Sequence, residues 1–526
     1  MDQRKAVWPE VLTSVLAGLW LAAFPLWQDL SYSHITRAKW LGALALCGVS
    51  LVSMLTAVII LAVRGELRQH LRFHPARLIA VAYFLWVALS AWQGRLSDAS
   101  NARGELVVWM GAVRYEGLLT QLCYGLIFLT MSLFPPRMRA MLHAASAALM
   151  VFACVVAAQY AGVNVLGLYP TGRSIYTNYE FQGTIGNIDM INGYLCLVVP
   201  LLLGGFVLSR RGGWLWLFAG LTGVLLEWCM EVQSGMIAML ALAGMMIMLG
   251  LTRPRLRFRC LLAVSGMVFC LALRQSVAFP WLDGVDSLRP VFSGKTAILL
   301  SFAALLAGLA LILQRHPGRA MPWKVILALV AVFAAAVAAA VALLPIPDTA
   351  GGVWELHEIL LGRPRDEFGS WRLGVWRHTL DMSRQSLWFG TGPDTFLYAM
   401  RAHLTEVGAT LGENFDNPHN EYLAILSNNG LPALLLYLVL MAVVVAGCLR
   451  QGLRQDGRRR EISWPLALAA SLICYALEGV FCFSICLVTP MFWAVMGMSV
   501  AWLSQQKGRP LMQIPRRIEA QTQSDQ

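Results

Sequence analysis

Apolar runs of about 17–23 residues recur along this chain from end to end, separated by short polar breaks. A helix needs about 20 apolar residues to cross a hydrocarbon core, so each run is a candidate membrane span. They predict helices at roughly 11–28, 40–63, 78–93, 118–134, 140–162, 188–208, 214–230, 235–251, 260–278, 294–314, 323–345, 431–449, 464–483 and 487–504. A transmembrane barrel would instead show alternating strands of about ten residues. The pattern therefore predicts an all-α polytopic membrane protein of about fourteen spans. The first run follows "MDQRK" without a clear small-residue cleavage site, and is read as an uncleaved span. The ninth meets Arg274, and the last two are joined by a very short expected turn.

Composition agrees: 58% of residues are hydrophobic and only 13% charged, too few charges to cover a soluble surface. The net charge of +12 raises the question of nucleic acid, but its distribution argues against that partner. Basic residues sit in short breaks such as "RGELRQHLRFHPAR", "FPPRMR", "SRRGG", "TRPRLRFR", "QRHPGR" and "RQGLRQDGRRR". With a cytoplasmic N-terminus all of these fall on one side, the positive-inside pattern, with membrane lipids as partners. The C-terminus then lies on the same side. The eleven cysteines fall in or near spans; Cys482 and Cys486 read as packing residues one helical turn apart, with no disulfide framework or zinc spacing.

The opposite face carries three longer segments, at about 94–117, 163–187 and 346–430. The last has no lysine, six arginines and eleven acids, and is long enough for short helices of its own. The expected organisation is a transmembrane bundle over 1–345, a loop domain over 346–430, further transmembrane helices over 431–506 and a disordered tail over 507–526. Loops carry function more often than packed spans.

Within the loop, "NPHNEYLAILSNNGLP" starts at Asn417. Asp416 or Asn417 suits an N-cap and Pro418 the first helical position, which puts His419 in the first turn of a helix over about 418–428. Gly430 suits the helix end, and Pro432 opens the span. A helix N-terminus disfavours an imidazolium, so His419 should stay neutral and able to take a proton. The plainer alternative is a polar residue wetted at a helix start. Upstream, "SWRLGVW" supplies Arg372, suited to bidentate phosphate binding or to an ion pair with Asp366 or Asp381. Trp354, Trp371, Trp376 and Trp388 suit either sugar stacking or an interfacial belt. "GTGPDTF" reads as a tight turn, and no GxGxxG nucleotide motif is present.

"GTGPDTF" followed by "NPHNEYLAILSNNGLPALLLY" resembles the signature of the O-antigen ligase and polymerase superfamily, bacterial glycosyltransferases with a multi-spanning GT-C-like fold. His419, Asn420 and Gly430 meet its His-containing pattern; Ala433 departs from it mildly. "SWRLGVW" resembles the family's arginine segment, and "VRYEGLLTQLCYG" and "QGTIGNIDMINGYL" are also similar to it. One departure stands out. Where the family often has a Ser-Arg pair that helps hold the donor pyrophosphate, this chain reads "EVQSGMIAML".

The resemblance implies transfer of a glycan from a polyprenyl-diphosphate carrier to an acceptor hydroxyl, on the outer face of the cytoplasmic membrane. The acceptor is a glycan or a lipid. It implies His419 as base, Arg372 as pyrophosphate clamp and Asn420 as an orienting residue. Arg173 is the first choice to replace the missing arginine and Arg114 the second, with Asp394 and Glu421 as further substrate contacts. The leaving diphosphate is already activated, so no cofactor and no metal are expected. Glu227 and Glu478, near span ends, are either functional or locally paired. The rival readings are a transporter or flippase of lipid-linked glycans, and a non-catalytic envelope-assembly scaffold.

Overall fold

The computed structural model describes residues 8–506 apart from 171, 174, 178, 179, 210, 211, 316, 317, 413, 414 and 455–462. The expected tail from Lys507 lies outside these residues. Among the described residues, ten helices are long and apolar enough to span a membrane. Four more, Leu118–Met131, Trp214–Met230, Trp464–Glu478 and Thr489–Gln506, fall on the remaining expected spans. Sheet among the described residues is limited to the two-residue pairing of Val277–Ala278 with Arg289–Pro290. The chain is a multi-pass, all-helical membrane protein.

Burial grades the helices. In the Ile188–Leu208 helix 94% of the apolar window is buried, whereas in Trp323–Leu343 only 6% is. The first is the bundle axis. The second presents apolar side chains outward nearly all round, as a helix does when lipid is its solvent. Arg274 does not interrupt a span: its helix, Arg257–Arg274, ends there. Its guanidinium pairs with Glu231 and Asp283 from neighbouring connections.

The connections sort into two groups, each in contact within itself. Arg72 donates to the carbonyl of Gln505 (3.0 Å), Arg77 to Ser132 (2.9 Å), Arg257 to the carbonyl of Arg319 (3.1 Å) and Arg259 to that of Gly212 (3.0 Å). These are the basic breaks, and their arginines satisfy carbonyls at or near helix ends. In the other group, Tyr32 donates its amide to Leu168 (3.0 Å), Arg95 to Gly390 (3.3 Å) and Glu421 to Gly479 (2.8 Å). The long segments at 94–117, 163–187 and 346–430 belong to this second group. They are joined there by 479–488, which is no short hairpin turn. The helices around it end at Glu478 and resume at Thr489, so Cys482 and Cys486 sit in non-helical chain and not one helical turn apart.

Among its described residues the 346–430 segment forms three short α-helices, Gly352–Leu360, Arg372–Ser383 and Phe396–Val407; the last two enclose a small core of Val375, Met382, Phe396, Met400 and Phe415. It runs into the long Glu421–Arg454 helix, which breaks at Gly430 (φ 81°, ψ 172°). The break is obligatory. A Cβ there would lie 2.1 Å from the Trp388 carbonyl oxygen, and the left-handed φ suits glycine alone. Gly430→Ala is expected to cost about 1–3 kcal/mol or more, read as a lower melting temperature of the purified protein. An unchanged melt would mean that the turn carrying Trp388 can move aside.

Candidate active site

The chain enters the Glu421–Arg454 helix three residues later than Pro418 implies. His419 has a left-handed φ of 48° and precedes the helix. Asn420 is the cap: its side-chain oxygen accepts from the Leu423 amide (3.0 Å), the N3 contact of an N-cap. Asn417 accepts from the His419 amide (2.8 Å) in an Asx turn. The expected helix start at 418 is thus corrected, because the Asx turn takes up the residues that looked like a cap. The Asn420 amide nitrogen donates to the Val480 carbonyl (2.9 Å), so this end of the helix is pinned to the 479–488 connection.

Four segments hold the His419 ring. Phe415 and Phe483 meet it edge-on, with centroids 5.9 and 5.3 Å away. Trp376 donates to the Pro418 carbonyl (2.9 Å), which makes this tryptophan a fixture of the site, one turn along the helix that Arg372 opens. Arg114 comes from the 94–117 segment. It grips Asp416 with two hydrogen bonds (2.7 and 3.0 Å) and lies over Phe483, 4.5 Å from the ring centre. Asp416 in turn accepts from Asn417 (2.6 Å). A connected chain of contacts therefore runs from Arg114 to the backbone of His419.

Arg372 lies within electrostatic reach of the His419 ring. One of its terminal nitrogens donates to the Gly369 carbonyl (3.2 Å); its Nε is buried without a partner. It pairs with neither Asp366, which Arg377 takes, nor Asp381, which Arg384 takes. His419 Nδ1 is likewise buried and unpartnered. Burial, then the charges of Arg372 and Arg114, push the imidazole down to about 4, with Asp416 opposing. The ring is neutral at pH 7, as expected, but burial comes first among the causes and two guanidiniums add to it.

Asp394, in "GTGPDTF", faces inward. Its carboxylate accepts from the amides of Ala112 (2.8 Å) and Glu116 (3.3 Å), the turn that carries Arg114. Burial lifts it to about 6. The same turn binds the end of the first helical segment after His419: Thr391 and Gly392 donate to Ser427 and Asn428 (2.9 and 2.8 Å). Glu421 also faces inward, accepting from Tyr437 (2.7 Å). Glu116, a possible partner for Arg114, instead accepts from Tyr124 (2.7 Å). Arg173 is not part of this cluster. It is exposed and lines a separate cleft with Tyr32, Asn164, Tyr169 and Phe181.

The "EVQSG" departure has a steric basis. A Cβ on Gly235 would lie 1.7 Å from the ends of both the Asn192 and Glu227 side chains. With its nitrogen turned to Glu227, the Asn192 amide donates to both carboxylate oxygens (2.6 and 3.0 Å), and its oxygen accepts from Ser234 (2.8 Å) and the Gly235 amide (3.1 Å). The space an arginine would need is filled. Glu227 is thus locally bonded, while Glu478 Oε1 is buried without a partner. Asp189, one turn before Asn192, lies within electrostatic reach of both Arg372 and Arg114.

Sequence reasoning missed Asp416, Phe483 and Asp189 as parts of this site. Asp416 was visible only as a possible cap. Phe483 sits in chain that reads as span, and nothing in its neighbourhood marks it.

No curated protein matches this chain. Residues 287–438 match a family model described as O-antigen ligase, a stretch that holds Arg372, Asp394, His419, Asn420 and Glu421 but neither Arg114 nor Arg173. The match falls on the 346–430 segment and the helix entry that build the His419 site, so over residues 287–438 this multi-pass membrane protein is similar to the O-antigen ligase family.

Proposed function

We propose that the protein is a glycosyltransferase that moves a glycan from a polyprenyl-diphosphate carrier to an acceptor hydroxyl, at the outer face of the cytoplasmic membrane. The observation that carries this reading is a half-buried His419 whose backbone is tied to Arg114 through Asp416 and Asn417, with Arg372 within electrostatic reach of its ring. Two guanidiniums from different segments suit a leaving diphosphate, whose charge grows in the transition state. An imidazole beside them, with Nδ1 open, suits the acceptor hydroxyl, whose proton must leave as its oxygen attacks the anomeric carbon. The C–O bond to the diphosphate breaks as the new glycosidic bond forms. Asn420 holds the helix entry, and with it the ring. Asp394 holds the turn of Arg114.

His419 in the empty site is a weak base, because burial and two cations oppose its protonation. A bound diphosphate cancels the cations and strengthens it. The base form is the neutral one, so activity is lost as pH falls through the pKa of the ring. For the free enzyme, kcat/KM is expected to fall on the acid side near pH 4. For the donor complex, the limb in kcat is expected to lie higher, toward the unperturbed value of about 6.5. Coincident limbs would remove the diphosphate from the neighbourhood of His419.

The orientation rests on the basic connections meeting on one face and the long segments on the other. Cysteine labelling of Ser370→Cys in intact cells tests it. The residue is exposed and is expected to react with an impermeant maleimide. Reaction only after permeabilisation would overturn the topology, and the outer-face reaction with it.

A further inference from the structure

A second cavity lies on the same face as His419 and takes no part in the chemistry just described. It is an open cleft of about 870 Å³ between the 31–33 connection and the 162–181 loop, within the roughly 300–1,000 Å³ usual for small-molecule sites. Its walls join aromatic rings to a cation. Tyr32 stacks with Tyr169 (centroids 6.3 Å, 21°) and tilts against Phe181 (6.1 Å). Phe181 is 39% exposed. Arg173 forms no ion pair among the described residues, so its fork of donors is open to a ligand. The backbone beneath is braced. Asn164 bonds both the Leu168 amide (2.9 Å) and the Tyr169 carbonyl (2.8 Å). The Tyr32 hydroxyl donates to the Gly183 carbonyl (2.9 Å) and accepts from Gln159 (2.7 Å).

The cleft adjoins the transfer centre. Phe181 follows Glu180, whose carbonyl accepts from the Ile188 amide (3.0 Å). The next residue, Asp189, feels both Arg372 and Arg114.

Rings beside one open guanidinium select a chemistry. A diphosphate calls for more than one cation, and among the described residues lining the cleft Arg173 is the one cation. A lipid tail would find it too polar and open. A sugar ring has apolar C–H faces for the aromatics and hydroxyl edges for water, and a single carboxylate or phosphodiester would fit the guanidinium fork. We propose that this cleft is a glycan subsite for a sugar bearing one acidic group, with Arg173 holding the acid and Phe181 and Tyr32 the ring. It rests on the glycosyltransferase reading for its place in catalysis, but not for its binding chemistry. The acidic sugar belongs either to the donor glycan or to the acceptor.

Two measurements on the full-length protein in nanodiscs test this separately. The first is saturation-transfer NMR with tetragalacturonate and with neutral maltotetraose. Tetragalacturonate is expected to bind about 10-fold or more tighter, as a charge-assisted contact provides. Arg173→Gln should erase the difference, Phe181→Ala should weaken both ligands, and His419→Ala should change neither. Equal binding of the two probes, no binding of tetragalacturonate, or an Arg173→Gln protein that keeps the preference would overturn the subsite. The second is transfer kinetics of Arg173→Gln, an exposed position where the fold is expected to hold, as checked by an unchanged melt. The half-saturating concentration should rise about 10-fold for one substrate, with the maximal rate kept. A rise for the donor assigns the acid to the donor glycan, and a rise for the acceptor assigns it there. A fall in maximal rate at unchanged half-saturation would overturn the assignment. A wild-type protein that transfers nothing would defeat the glycosyltransferase reading, while the NMR result would still decide the subsite.

Discussion

His419→Ala is expected to lower glycan transfer by about 10²–10⁴-fold, the usual contribution of a positioned general base. Insertion, helical content and melting temperature are expected to stay near wild type. The expectation follows from the ring's isolation: it is half-buried, its Nδ1 is buried and meets no partner, and its packing neighbours Phe415 and Phe483 supply no proton acceptor of their own. The left-handed backbone at this residue (φ 48°) carries some strain for alanine. His419→Asn is therefore the companion variant, since asparagine tolerates that conformation and brings no useful base. Both should be equally inactive. Near-normal transfer by a folded His419→Asn protein would remove the imidazole from the mechanism.

Arg114→Ala and Arg372→Ala are each expected to slow transfer by about 10²–10³-fold, the scale of losing one charged transition-state contact. Both are proposed to hold one diphosphate, so the double variant should fall short of the product of the two single effects. A purely structural role is separable by two controls. Asp416→Asn breaks the Arg114 grip but leaves the guanidinium in place, and should cost far less than Arg114→Ala. Both arginines also hold the His419 ring down, so removing either should move the acid limb of kcat/KM upward, toward the unperturbed histidine value. Additive losses with an unmoved limb would mean that the arginines act apart from each other and from the ring.

The spans were readable because lipid imposes their length and composition on the sequence directly. The basic connections were readable because short loops keep their charge on one side. The helix entry was half-readable. Gly430 and Pro432 mark the break correctly, but Asn417-Pro418 imitates a cap that the backbone places at Asn420. Which outer arginine joins Arg372 was not readable, since the Arg114–Asp416 contact spans 302 residues of chain and depends on how the loops meet. Proximity to a family-like stretch pointed to Arg173, yet that loop turns its arginine into a different cleft. Phe483 was hidden for another reason. The 479–488 connection is nearly as apolar as the spans beside it, so hydropathy counts it as membrane although it is non-helical chain packed against His419.

Reconstitution of the purified protein in liposomes, with a radiolabelled polyprenyl-diphosphate glycan and an acceptor glycolipid, tests the central claim most directly. Wild type is expected to form the acceptor-linked glycan and to release one polyprenyl diphosphate for each glycan transferred, and the His419→Asn protein neither. Movement of the intact lipid-linked glycan between leaflets, with no covalent product and no free polyprenyl diphosphate, would contradict the account.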